Sequence, residues 1–367
     1  MPIRAEHRSV VGATGRGAPR PVSSATAFPC LSIIALLLLF TTLPASAQTH
    51  PATSPATDIP PTILLVLGAP GEPEFGREFE RAADLWSDAA KLAAAHLIQI
   101  GRDESSSANA PTDKDRLRQS LATESQRQTT STLWLVLIGH GTFDGKEAKF
   151  NLRGPDVSDA ELAQWLEPCH RPLAVIDCSS ASAPFLNRLS GKSRIVVTAT
   201  QSGHELQYSR FASYLAADIA DPAADLDKDG QTSLLEAFLA ASHQVESFYK
   251  EQGRLATEHA LIDDNGDARG TPASFFQGTR ARAAAAKDGA TPDGLRAHQL
   301  HLVLSPTEAA MSPQARAKRD DLERQIESLR AKKTTLPEHD YYTALEKLLL
   351  DLATVYDKSP TTRPRVP

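Results

Sequence analysis

Four short runs are almost wholly apolar: Thr62–Leu67, Leu133–Ile138, Leu173–Ile176 and Arg194–Ala199. Runs of this length without alternation predict strands buried on both faces. The segments between them carry a helical period. Phe75, Phe79, Ala83, Leu85, Trp86 and Ala90 recur on one face of residues 74–96, and His96–Ile100 reads as a further short strand. A helix is expected at Asp113–Thr123 within the polar stretch 103–130, and another at Ala183–Leu189. Ser158 opens a helix through Leu166, with Glu161 at capping-box spacing. Strands alternating with helices predict an α/β fold with a parallel sheet covered on both faces. After residue 204 the chain becomes helical and loop-rich. His301–Leu304 is the last strand candidate. Residues 312–356 read as a helical hairpin broken near Pro337. Its first helix, Ser312–Lys333, is highly charged, and its second carries Leu345, Leu348, Leu349, Leu352 and Ala353.

The N-terminus changes the picture of where the fold begins. Arg4, Arg8, Arg16 and Arg20 precede the apolar run Leu31–Leu43 and then Ala45-Ser46-Ala47. This is the order of a secretory signal peptide, residues 1–47, cleaved after Ala47 and followed by a Pro/Thr/Ala-rich linker at 48–61. The run is short against the ~20 residues of a membrane span, so no stable span is expected after cleavage; an uncleaved anchor is the other reading. A periplasmic or secreted location follows. The net charge of −6 argues against nucleic acid as a partner. Cleavage would leave Cys169 and Cys178. An oxidising compartment favours their pairing, but a whole strand separates them, and that favours two free thiols.

Two strand ends carry candidate chemistry. The strand at 133–138 runs into Gly139-His140-Gly141, and the strand at 173–176 into Asp177-Cys178-Ser179-Ser180. Functional groups of a parallel sheet gather at the C-terminal ends of its strands. A thiol becomes a nucleophile once an imidazole takes its proton. His140 and Cys178 are therefore the candidate catalytic pair. The backbone N–H groups of Gly141 and Cys178 are candidate oxyanion donors. No G-x-S-x-G elbow points to a serine hydrolase.

"Strand, then His-Gly" followed by "strand, then x-Cys" resembles the caspase-like (clan CD) cysteine peptidases, which include legumain, caspases, gingipain and separase. The local match is legumain-like: Cys178-Ser179-Ser180-Ala181-Ser182 is similar to that family's Cys-x-Ser-Gly-Ser. Val196–Thr200 is similar to its strand leading to the substrate-pocket wall. The opening strand Leu64–Gly68, and the helix carrying Ala83-Asp84, also fit. The resemblance covers roughly residues 62–220 on short motifs that are specific only together. It implies a caspase-like three-layer sandwich, a peptidase domain over 62–305, and a protein or peptide substrate. Ser202, His204 and Glu205, with Gln207, are then candidate pocket residues. The chain departs from the pattern at Asp177, where relatives carry a small residue. It also lacks a clean counterpart of the legumain pocket arginine, since Arg77 and Arg81 are out of register. No residue preference is therefore implied.

Asp225-x-Asp227-x-Asp229-Gly230-x-x-Ser233-x-x-Glu236 has the spacing of a twelve-residue EF-hand loop. Asp225, Asp227, Asp229, Ser233 and Glu236 would offer side-chain oxygens, and Gln231 its carbonyl. Calcium in a structural role is the expected cofactor; an acidic turn capping a helix is the plainer reading. Asp263-Asp264-Asn265-Gly266-Asp267 lacks a distal Glu and reads as a turn. Two functions stay open. One is an exported cysteine endopeptidase using His140 and Cys178. The other is a catalytically inactive, calcium-stabilised caspase-like binding protein whose hairpin at 312–356 recruits a partner.

Overall fold

The computed structural model describes residues 59–102, 110–282 and 291–357. The expected signal peptide and most of the linker lie outside these residues. In chain order the elements are β1 (Thr62–Leu67), α1 (Pro73–Leu92), β2 (His96–Ile100), α2 (Asp113–Ser125), β3 (Leu133–Ile138), β4 (Gly141–Phe143), β5 (Ala148–Phe150), β6 (Val157–Ser158) and α3 (Asp159–Leu166). There follow β7 (Leu173–Asp177), α4 (Ala183–Leu189), β8 (Arg194–Thr198), α5 (Phe211–Asp218), α6 (Leu234–Glu251), β9 (Leu261–Asp263) and β10 (Thr271–Pro272). The C-terminal part holds α7 (Leu295–His298), α8 (Pro306–Ala310), α9 (Pro313–Ala331) and α10 (Glu338–Asp357).

Among the described residues, seven strands form one sheet in the order β10-β9-β8-β7-β3-β1-β2. The five strands from β2 to β8 run parallel. The apolar runs have no polar face because both faces are covered. Ile63, Leu65 and Leu67 join a cluster with α1, α5 and α6. Leu64 and Val66 join another with α2, α3 and α4. The expected α/β sandwich with a mostly parallel central sheet is therefore present, followed by the α9–α10 hairpin. The capping box at α3 is formed too: Glu161 N–H donates to Ser158 Oγ, and Ser158 N–H to Glu161 Oε2.

Two features differ from the sequence reading. Residues 301–304 form no strand; His301 makes an isolated bridge to Ser233, and Leu302 is buried in the α6-side cluster. The sheet edge is taken instead by β9, antiparallel to β8, and by β10, antiparallel to β9. Second, β4, β5 and β6 form a small antiparallel sheet directly after His140.

Candidate functional site

His140 and Cys178 leave neighbouring parallel strands toward the same side of the sheet. The His140 ring lies among Phe75 and Phe79 of α1, at centroid distances of 5.0 and 5.3 Å, with Tyr208 at 6.3 Å. Its Nε2 is 3.2 Å from Pro70 O. A carbonyl only accepts, so this contact assigns the proton to Nε2. Cys178 belongs to the buried cluster that contains Ile176, Val197, Phe211 and Leu215 on that side. No hydrogen bond joins His140 to Cys178 among the described residues, and Cys169 and Cys178 are both free and buried.

The thiol is 1% exposed. Burial pushes it well above its ordinary range, and the nearby Asp177 and Glu258 carboxylates push it further the same way. It is therefore a protonated thiol at neutral pH, the form without nucleophilic strength.

The expected oxyanion donors are both engaged. Cys178 N–H donates to Leu137 O at 2.9 Å, a bond that continues the parallel ladder beyond β7. Gly141 N–H donates to Ser180 Oγ at 3.0 Å, and that hydroxyl returns a bond to Gly141 O. As folded, both N–H groups are thus hydrogen-bonded within the protein. Gly141 is engaged because β4 seats closely on the turn after β7. A Cβ at Gly141 would come within 2.1 Å of Ser180 O, so only glycine allows the approach.

Beneath this seat lies a buried polar layer. Asp177 Oδ1 accepts from Ser179 N–H at 3.0 Å and from Ser179 Oγ at 2.6 Å, while Oδ2 has no partner. Burial raises the Asp177 carboxyl to about 7 against these two hydrogen bonds. Ser182 Oγ and Thr200 Oγ1 pair at 3.1 Å. Ser179, Ser180, Ser182 and Thr200 are all buried. Ala181 takes a φ of 55° to turn the chain there.

The candidate pocket residues do gather beside this turn. Ala181 N–H donates to Glu205 O at 2.9 Å. The Glu205 carboxylate accepts from Gln201 N–H and lies 2.6 Å from His259 Nδ1. Ser202 Oγ accepts from His204 N–H, and the His204 ring stands edge-on to Phe143 at 5.3 Å. Gly203 lies directly under the Phe143 ring. Phe143 therefore closes β4 onto the loop after β8.

The loop 225–236 brings its acidic side chains together. Asp225, Asp227 and Asp229 offer oxygens within 4.8 Å of one another. Asp225 accepts from Lys228 N–H and Gly230 N–H, and Asp229 from Gln231 N–H. Ser233 caps α6. Glu236 is 1% exposed, and it accepts from Leu226, Asp227 and Ser233 N–H groups. The Gln231 side chain also accepts from Ser305 N–H, which ties the loop to the chain leading into the hairpin.

Three contributors escaped the sequence reading: the aromatic set around His140, Glu258, and His298 beside Asp227. Each meets its partners across long stretches of chain, and no local pattern marks it. The Asp263–Asp267 segment is also more than a turn. Asp264 and Asp293 are buried there and accept a network of backbone N–H groups.

No family model matches the chain, and no curated protein matches it. Among solved structures it is similar to the Drosophila initiator caspase Dronc, at 15% identity over 57% of this chain and 81% of that one, with a TM-score of 0.40. It is also similar to caspase-1 from Spodoptera frugiperda, at 7% identity over 56% and 86%, with a TM-score of 0.36. A third is protein GSU0716 from Geobacter sulfurreducens, at 12% identity over 50% and 88%, with a TM-score of 0.34.

Proposed function

We propose that this chain is an exported caspase-like protein whose His140–Cys178 pair is catalytically silent as folded, and that it acts as a calcium-stabilised binding module. One observation carries this reading: among the described residues, the thiol that follows β7 lies in the apolar core, with its own N–H held in the sheet ladder and the Gly141 N–H held by Ser180. Acyl transfer requires a thiolate and free donors at one accessible point. The peptidase reading keeps one supporting observation, the shared face of His140 and Cys178. For that chemistry β4 would lift from Ser180, Cys178 would attack the scissile carbonyl, and His140 would carry the proton to the leaving amine.

The test is hydrolysis of a fluorogenic peptide library by wild type and Cys178→Ala, with and without calcium. Expected is the same background for both proteins, with Cys178 alkylated by iodoacetamide only after denaturation. Hydrolysis that Cys178→Ala abolishes overturns the silent reading and reports the preferred residue at once.

The oxygen donors of 225–236 fit a hard cation, for which calcium is the reading the loop supports. Asp225, Asp227, Asp229, Ser233, Glu236 and the Gln231 carbonyl would hold it, and the ion would supply a clamp rather than chemistry. Calcium at 100 times its Kd is expected to raise stability by about 2.7 kcal/mol. Calorimetry in calcium and in chelator checks this; coincident transitions exclude calcium from the loop.

A further inference from the structure

His298 brings a different kind of donor to the acidic loop from outside it. Its Nε2 lies 2.8 Å from Asp227 Oδ2. That nitrogen, an Asp227 oxygen and a Glu236 oxygen lie within 4.8 Å of one another. Three separate parts of the chain converge here: the loop, the first turn of α6, and the end of α7.

Two of the three are held in place. Glu236 is fixed by the backbone N–H groups of Leu226, Asp227 and Ser233. α7 is a single turn and would not keep its place alone. The buried Asp264 holds it, accepting from Gly294 N–H at 3.0 Å and from Ala297 N–H at 2.8 Å. His298 N–H donates to Gly294 O within the same turn. The imidazole is thus presented by a pinned backbone, on a rigid part of the scaffold. Glu236 lies at the buried end of the cluster, while the Asp227 and His298 side chains keep 33% and 28% exposure, which leaves an entry path.

One imidazole nitrogen with two carboxylates is not a calcium set, because calcium takes oxygen. Nitrogen and carboxylate donors at bond lengths of about 2.0–2.2 Å are a zinc set. We propose that Asp227, Glu236 and His298 form a zinc site, with the fourth position left to water. When the metal binds, the proton that Nε2 now donates to Asp227 moves to Nδ1, so the imidazole stays neutral and Nε2 offers its lone pair. Zinc and calcium both need Asp227 and Glu236, so they compete for one place.

The test uses the full chain, stripped of metal by chelator and titrated calorimetrically with zinc chloride and, separately, with calcium chloride. Wild type is expected to bind one zinc, and saturating calcium to weaken that binding. His298→Gln is expected to weaken zinc by more than the ~10–100-fold that follows loss of a group merely orienting a ligand, and to leave calcium affinity unchanged. His243→Gln, on α6 away from the cluster, is the control and is expected to match wild type for both ions. Zinc binding unchanged in His298→Gln, zinc indifferent to saturating calcium in a protein that does bind calcium, or no zinc binding in wild type overturns the proposal. Zinc binding without calcium binding overturns the calcium reading alone.

Discussion

Replacing Glu258 with alanine is expected to lower stability by about 2–5 kcal/mol, because several buried donors lose their acceptor at about 1–3 kcal/mol each. Glu258 is 2% exposed. Its carboxylate accepts from Ser209 Oγ at 2.8 Å, Arg210 N–H at 2.8 Å, Phe211 N–H at 3.1 Å and Tyr249 OH at 3.2 Å. Arg210 and Phe211 open α5, whose own sequence offers no side-chain cap. Glu258 thus caps α5 from far along the chain and sets a negative charge against its positive end. Alanine would leave those donors buried and unpaired, at about 1–3 kcal/mol for each group that water cannot reach. Urea unfolding of Glu258→Ala beside Glu258→Gln measures this. Glutamine keeps one accepting oxygen and is expected to recover part of the loss. A loss below 1 kcal/mol in the alanine variant would exclude the capping role.

Three buried aspartates are expected to contribute less stability as pH rises from about 4 to 7, while the buried His301, pushed down to about 4, works in the opposite direction. Burial raises the Asp177 carboxyl to about 7, that of Asp293 to about 7 and that of Asp218 to about 6. Each then holds its proton more tightly folded than unfolded, where an aspartate titrates near ~3.9. Below that value both states are protonated and the stability is complete. Above it the unfolded chain ionises first, and stability is lost until the folded pKa is passed. Asp177 is the sharpest case, because Oδ2 has no partner to offset its charge. A rise of about three units corresponds to on the order of 4 kcal/mol. Asp177→Asn keeps an acceptor for Ser179 and removes the charge. It is expected to be more stable than wild type above pH 7 and to converge with it below pH 4. Urea unfolding of both proteins from pH 4 to 8 checks this; parallel curves would show that Asp177 does not titrate in this window.

The sequence made the sheet legible wherever burial on both faces left a continuous apolar run with polar residues only at its ends. β1, β3, β7 and β8 are such strands. It also placed His140 and Cys178 at strand ends, because Gly139, Gly141 and Ser179 interrupt the apolar runs. It did not show which way Cys178 faces. The signal was present in the alternation: Ala174, Ile176 and Cys178 share one face of β7, and Ala174 and Ile176 pack toward α1 and α5. The loop at 225–236 was legible because its donors stand at fixed offsets within one turn. Glu258, Asp264 and His298 were not, since each acts on a segment that only the complete fold brings near. β9 and β10 were missed because three- and two-residue strands leave no periodicity, and the apolar quartet at 301–304 carried a stronger strand signal.

Those two short strands have a consequence for solubility. Without β9, the sheet would end at β8, whose Ile195, Val196 and Val197 would offer a flat apolar edge of unpaired N–H and C=O groups. Such an edge is a template on which further copies add by strand pairing. β9 covers it for three residues, and β10 then ends the sheet with Pro272, which has no N–H to give. A chain cut before residue 261 would keep the apolar core of the parallel sheet and lose this guard, so its characteristic failure would be aggregation through β8.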